Sequence, residues 1–273
     1  MRPLLILAAA APLFAAQLSV LRPAISDSDG GAPFPVSFEH VPGEILFFSC
    51  RVAGFQKTSD EQMHLAYTVE AFDPHGVPIQ EAVRNEIREE VTPQDKDWMP
   101  KIETEVPVPP LALSGSYKIV VTVEDLVAKS KTQLATPFTV QGRDVAPSDT
   151  LTVRNFHFYR SEDEARPLEK PVYRPGDSVW ARFDITGFKY GPKNKTDVSY
   201  VTSVIAGSGK VLWTQPQAAG ENSESFYPKP YVPASMGINL QKNIAPGEYT
   251  IAVEAKDAVG NQIYETKETF QVE

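Results

Sequence analysis

The sequence predicts an all-β protein made of two tandem antiparallel β-sandwiches, and three observations carry that expectation. The chain repeats itself, its apolar residues alternate with period two, and Gly and Pro punctuate the alternating runs. Residues 18–79 match residues 151–212 at a constant offset of 133. Leu18 and Val20 return as Leu151 and Val153, Pro42-Gly43 as Pro175-Gly176, Gly54-Phe55 as Gly187-Phe188, Tyr67 as Tyr200 and Gly76 as Gly209. One residue is then lost. At offset 132, Gly115, Tyr117, Ile119, Val121, Asp125, Phe138 and Val140 return as Gly247, Tyr249, Ile251, Val253, Asp257, Phe270 and Val272. A duplicated domain explains both registers with the fewest coincidences.

Residues 1–16 combine Arg2 with an apolar run from Leu4 to Ala16, the pattern of a secretory signal peptide and too short for a stable membrane span. The first sandwich is then expected over 17–141, a linker over 142–149 and the second sandwich over 150–273. Each copy is long enough to bury a core of its own. Cys50 is the single cysteine, so no internal disulfide staples either copy. The repeat sets Cys50 opposite Phe183, which argues for an inert core thiol. No second long apolar run follows, so no membrane insertion is expected after signal cleavage.

Tyr117, Ile119, Val121 and Val123 share one face of a strand, as do Tyr249, Ile251, Val253 and Ala255 in the second copy. The same alternation gives strands near 44–53, 63–73, 102–109 and 132–141, each with a counterpart one repeat later. Asp73-Pro74-His75-Gly76 and Ala206-Gly207-Ser208-Gly209 read as turns between strands. Helical signals are scarce. The acidic stretch Glu81 to Glu90 has a counterpart, Gln215 to Glu224, that contains Pro and Gly, so both read as an edge strand with a long connection. Seven or eight short strands per copy give a sandwich of the immunoglobulin or fibronectin III kind.

Two local motifs sharpen this reading. Ser114-Gly115-Ser116-Tyr117 and Pro246-Gly247-Glu248-Tyr249 place Tyr117 and Tyr249 at the start of the penultimate strand, as a tyrosine corner does. The second motif is Lys170-Pro171-Val172-Tyr173-Arg174-Pro175-Gly176-Asp177-Ser178-Val179-Trp180, continued by Gly237-Ile238-Asn239-Leu240 before Gly247-Glu248-Tyr249. It resembles the opening of the macroglobulin MG2-type domain over most of the second copy. The first copy, which keeps Pro42-Gly43-Glu44 without the preceding Tyr, is similar more weakly. The resemblance implies a sandwich in an extracytoplasmic setting. It does not imply protease trapping, because the Cys-Gly-Glu-Gln thioester sequence is absent.

The formal charge of -9 is unevenly shared: residues 17–142 hold ten basic and eighteen acidic side chains, and residues from 143 onward fifteen and seventeen. Neither half carries the basic stripe that nucleic acid or anionic lipid demands. His40, His64, His75 and His157 lack metal-ligand spacing, so no metal is expected at them. The Asp27/Asp29 and Glu162/Asp163 loops offer oxygens to calcium but lack the full loop spacing, and read as solvated. No Gly-x-Ser-x-Gly elbow occurs, and no catalytic residue or cofactor is assigned.

The remaining candidate is a surface. Ser225-Phe226-Tyr227-Pro228-Lys229-Pro230-Tyr231-Val232-Pro233 concentrates aromatics among prolines, and its counterpart near Trp98-Met99-Pro100 is also aromatic. Trp98, Phe226, Tyr227 and Tyr231 are the candidate ligand or partner surface, because rigid aromatics on extended backbone lose little entropy on binding. The competing structural role is to cap the core and protect an edge strand. The function expected is therefore that of an exported, non-enzymatic binding or spacer protein of the cell envelope, with a protein or a glycan as partner. A periplasmic chaperone and a carbohydrate-binding accessory module are the alternatives. Asn194-Lys195-Thr196 forms a glycosylation sequon, relevant only in a eukaryotic host.

Overall fold

A computed structural model describes residues 17–95 and 97–273, so the signal peptide expected over 1–16 lies outside the described residues. The chain is all-β. It divides into two compact units, one comprising the chain up to Phe38 with Ile45–Pro107 and Ser116–Phe138, the other Glu39–Glu44, Val108–Gly115 and Thr139–Glu273.

The first half contains Ser19–Ser26 (β1), Glu39–His40 (β2), Ile45–Ala53 (β3), Gln62–Phe72 (β4), Val83–Glu90 (β5), Lys101–Pro107 (β6), Gly115–Asp125 (β7) and Ser130–Val140 (β8). One sheet has the order β1-β3-β6 and the other β2-β8-β7-β4-β5. The second half contains Thr152–Tyr159 (β9), Val172–Tyr173 (β10), Ser178–Thr186 (β11), Thr196–Ala206 (β12), Val211–Thr214 (β13), Ala219–Ser223 (β14), Val232–Asn239 (β15), Gly247–Asp257 (β16) and Gln262–Val272 (β17). Its sheets run β15-β11-β9 and β10-β17-β16-β12-β13, with β14 also paired to β12. The stretch 81–90 does supply an edge strand, β5; its counterpart 215–224 supplies β14, and β13 precedes it, so in the second copy two short strands pair with β12.

Alternation places the core. Along β3, Leu46, Phe48, Cys50 and Val52 face inward, and along β11, Val179, Ala181, Phe183 and Ile185 do the same. Fully burying a side chain of this size stabilises by about 1.5–3 kcal/mol, so these two strands alone contribute a large share of each core. Cys50 is buried among them, and burial pushes its thiol up to about 12.

The repeated short motifs also acquire physical reasons. Gly54 and Gly187 sit at positive φ, +75° and +77°, where the chain leaves β3 and β11. A Cβ there would collide with the carbonyl oxygens of Gln17 and Thr150, so no other residue fits against the first strand. After each Pro-Gly, the acidic residue closes the turn on itself: Glu44 Oε2 accepts Val41 N–H at 3.0 Å and Asp177 Oδ2 accepts Arg174 N–H at 2.8 Å. Tyr173 is buried and donates its hydroxyl to Tyr159 O at 2.9 Å. The equivalent slot in the first copy holds buried His40, whose Nδ1 lies 3.2 Å from Glu44 Oε1. Tyr249 Oη donates to Ala245 O at 2.7 Å, across the connection that enters β16, and Tyr117 is buried beside Phe138 in the first copy.

Asp125 and Asp257 do more than the turn bonding their position suggests. Asp257 Oδ1 accepts Val259 and Gly260 N–H within the β16–β17 turn, while Oδ2 accepts Lys189 N–H and Gln262 Nε2. Asp125 Oδ1 accepts Val127 and Ala128 N–H, and its Oδ2 accepts Gln56 N–H. Each carboxylate therefore ties its hairpin turn to the loop that follows the Gly-Phe motif.

Candidate functional site

The residue after each conserved-register glycine anchors an aromatic pair. Phe188 packs edge-on against Tyr190, with ring centroids 5.5 Å apart, and Phe55 packs edge-on against Trp98 at 6.5 Å. The inner ring of each pair is supported by its sandwich, while Trp98 and Tyr190 remain about two-fifths exposed. Tyr190 escapes the search for proline-flanked aromatics, although the recurrent Gly-Phe motif marks its neighbourhood.

The 225–231 segment is held chiefly through its carbonyls. Asn194 Nδ2 donates to Phe226 O, Tyr190 Oη donates to Lys229 O at 2.6 Å, and Thr186 Oγ1 donates to Pro230 O at 3.0 Å. Ser225 Oγ donates to Tyr227 O at 2.7 Å. Lys229 Nζ reaches Glu221 at 2.5 Å and Ser223 at 2.7 Å, and the Lys229 contact, followed by Ser223, holds the Glu221 carboxyl below its ordinary range. Prolines remove donors and fix φ, and side chains take the remaining acceptors, so the segment is preorganised. Phe226 is 51% exposed at its tip and Tyr227 is half-buried.

Tyr231 corrects the sequence reading. It is only 5% exposed and cannot offer a stacking face, because the chain has turned inward to enter β15. Burial raises its hydroxyl pKa, and Arg143 and Asp184 lie within electrostatic reach. The sequon is likewise built into the fold: the Asn194 amide is engaged, and Thr196 is fully buried.

A polar cluster beside Tyr231 was not legible in the sequence. Asp184 occupies an outward position on β11, between the inward Phe183 and Ile185, yet it has no exposed surface. Arg143 Nε and Asn155 Nδ2 both donate to Asp184 Oδ2 at 2.9 Å, and Asn155 Nδ2 also donates to Asp144 O at 2.8 Å. Residues 143 and 144 of the expected linker are thus pinned to the second unit. Burial raises the Asp184 pKa, against the opposing pull of Asn155 and Arg143.

The calcium candidates do not assemble. Asp29 is exposed near Lys101 Nζ at 4.0 Å, and Glu164 accepts Arg160 N–H at 3.2 Å. Among the described residues, no group of three or more His, Cys, Asp or Glu side chains is placed to hold a metal ion.

No protein-family model and no curated protein sequence matches the chain. Three solved structures illustrate what it is similar to. The C-terminal domain of the Streptococcus agalactiae antigen I/II polypeptide BspA aligns over 93% of this chain and 99% of its own, with 9% identity and a TM-score of 0.31. The C-terminal domain of the Streptococcus pyogenes antigen I/II-family protein AspA aligns over 94% and 99%, with 9% identity and a TM-score of 0.30. A family 123 glycoside hydrolase from Clostridium perfringens aligns over 45% of this chain, with 16% identity and a TM-score of 0.31. The chain spans 27% of that hydrolase's length. At these scores the similarities decide nothing about activity, partner or location.

Proposed function

We propose that the protein is an exported, non-enzymatic pair of immunoglobulin-like domains, the second of macroglobulin MG2 type, that acts as a binding module or spacer at the cell envelope. The observation that carries this reading is an aromatic pair in each sandwich built on the repeated Gly-Phe position, Phe55 with Trp98 from the connection before β6 and Phe188 with Tyr190 from the same loop. In the second copy the preorganised segment adds exposed Phe226. Aromatic rings on a rigid backbone combine large contact area with small entropy loss, the requirement for stacking on a sugar face or docking a peptide. Export rests on Arg2 and the apolar run to Ala16.

The test is retention of the purified chain on immobilised envelope glycans and envelope proteins. Trp98→Ala, Tyr190→Ala and Phe226→Ala should each weaken retention at least about tenfold, the effect of losing about 1.4 kcal/mol. Retention unchanged in all three variants would refute the role given to these residues.

A further inference from the structure

The two sandwiches share their cores and differ at their edges. Among the described residues, β15 pairs with β11 alone and its counterpart β6 with β3 alone, so each lies at a sheet edge. Ser235 shows which main-chain groups of β15 face outward. Its carbonyl accepts from Tyr200 Oη at 2.8 Å and its N–H donates to the same oxygen at 3.2 Å, whereas Leu240 N–H donates to Asp177 O at 2.8 Å, on the β11 side. Alternation then turns the main-chain groups of Gly237 and Asn239 away from β11.

The shared register, Ile45 opposite Pro107 and Ser178 opposite Asn239, equates Ser235, Gly237 and Asn239 with Glu103, Glu105 and Pro107. Two carboxylates and a missing N–H guard the first edge against strand addition. The second edge carries neither charge nor proline at these three positions.

A cleft of about 470 Å³ opens beside this stretch, walled by Leu212, Trp213, Gly237, Ile238, Leu240 and Ile244. Leu212 and Trp213 lie on β13 and are exposed. Their counterparts at offset 133 are Ile79, which is buried, and Gln80, and Val211 is replaced by Pro78. The β13 wall is thus apolar and exposed in the second copy, while the β15 wall sets Ile238 and Leu240 beside polar Asn239 and Gln241. Lys210, one residue before β13, and Lys242, three residues after β15, are exposed, and among the described residues no acidic side chain lines the cleft.

We propose that this cleft receives an extended segment of a partner protein. The segment adds as a strand along Gly237–Asn239, sets alternate apolar side chains against Leu212 and Trp213, and meets Lys210 and Lys242 with acidic flanks. Main-chain bonds give affinity in this mode, and alternate side-chain contacts give selectivity. Gly237 also lets the Trp180 ring cross the strand closely, since a Cβ there would stand 2.8 Å from ring atoms. The proposal rests on the binding-module reading but uses a different surface, so Trp98→Ala and Phe226→Ala should leave it intact.

The test is calorimetric titration of the whole chain with a synthetic peptide of alternating Thr and Val flanked by Glu. A Lys-flanked peptide and a peptide with a central Pro serve as comparisons. Trp213→Gln and Asn239→Pro transplant the residues found in the first copy. The Glu-flanked peptide should bind saturably, and the Lys flanks, the central Pro and each variant should weaken it at least about tenfold. No saturable binding of the Glu-flanked peptide, or binding that survives Trp213→Gln, would overturn the proposal. Trp213→Gln alters an exposed residue and decides the matter even if Asn239→Pro fails to fold. A concentration-dependent dimer lost in Trp213→Gln would assign the cleft to a second copy of the chain and overturn it too.

Discussion

Replacing Asp257 by Asn tests whether one buried carboxylate holds the hairpin turn and the loop after β11 together. The substitution keeps an oxygen for Val259 and Gly260 N–H, both about 3.0 Å away, but turns an amide donor toward Lys189 N–H and Gln262 Nε2, both 2.9 Å from Oδ2. Two bonds to a charged acceptor are lost, each contributing about 1.5–3 kcal/mol, and relaxation recovers part of that, so the expected cost is about 3 kcal/mol. Asp125→Asn removes only the Gln56 N–H bond on the corresponding oxygen, so it should cost about 1.5 kcal/mol less. Urea unfolding gives the two free energies, and amide hydrogen exchange at Lys189 and Gln56 assigns each loss to its own unit. If both variants changed stability by less than about 0.5 kcal/mol, or if the order were reversed, the tie between turn and loop would be refuted.

Asp184 gives a prediction of opposite sign. Its folded pKa lies above its unfolded one, so the folded state holds more protons between the two values, and stability falls as pH rises through that window. Asp184→Asn should abolish this slope in pH-dependent thermal unfolding and be no less stable than the wild type at neutral pH; a loss above about 1 kcal/mol there would show that the Arg143 pair outweighs burial. Cys50, raised to about 12 from 9.0, should resist iodoacetamide at pH 9 in the folded chain and react fully in urea, with stability declining as pH climbs from 9 toward 12. Rapid labelling without denaturant would contradict its core position.

The elements legible in the sequence were those set by local chemistry. Period-two alternation placed β3, β4, β7 and β8 within a residue or two, because one wet and one dry face leaves a direct trace in composition. The edge strands were the weakest part: β13 and β14 pair with one strand through two short segments, and Pro216 marks a break between them without showing that both sides return to β12. Trp98 and Phe226 were found as aromatics among prolines. Tyr231 was misplaced for the same reason, since adjacency to Pro230 does not reveal that the chain turns inward there. Asp184 was invisible because an acidic residue at an outward strand position ordinarily meets water, and only the return of Arg143 and Asp144 covers it.

The sequence by itself determined the duplication, the β class and the inward faces of the strands, since each follows from spacing along one chain. Only the tertiary structure decided which equivalent positions are guarded and which are open. Ile79 is buried where Leu212 is exposed, and Asp184, at an outward strand position, is buried under the returning Arg143 and Asp144; these are differences in what packs nearby, and that is set by segments far apart in the chain. The shared pattern therefore specifies the sandwich, and the tertiary contacts specify where the second copy leaves an edge exposed.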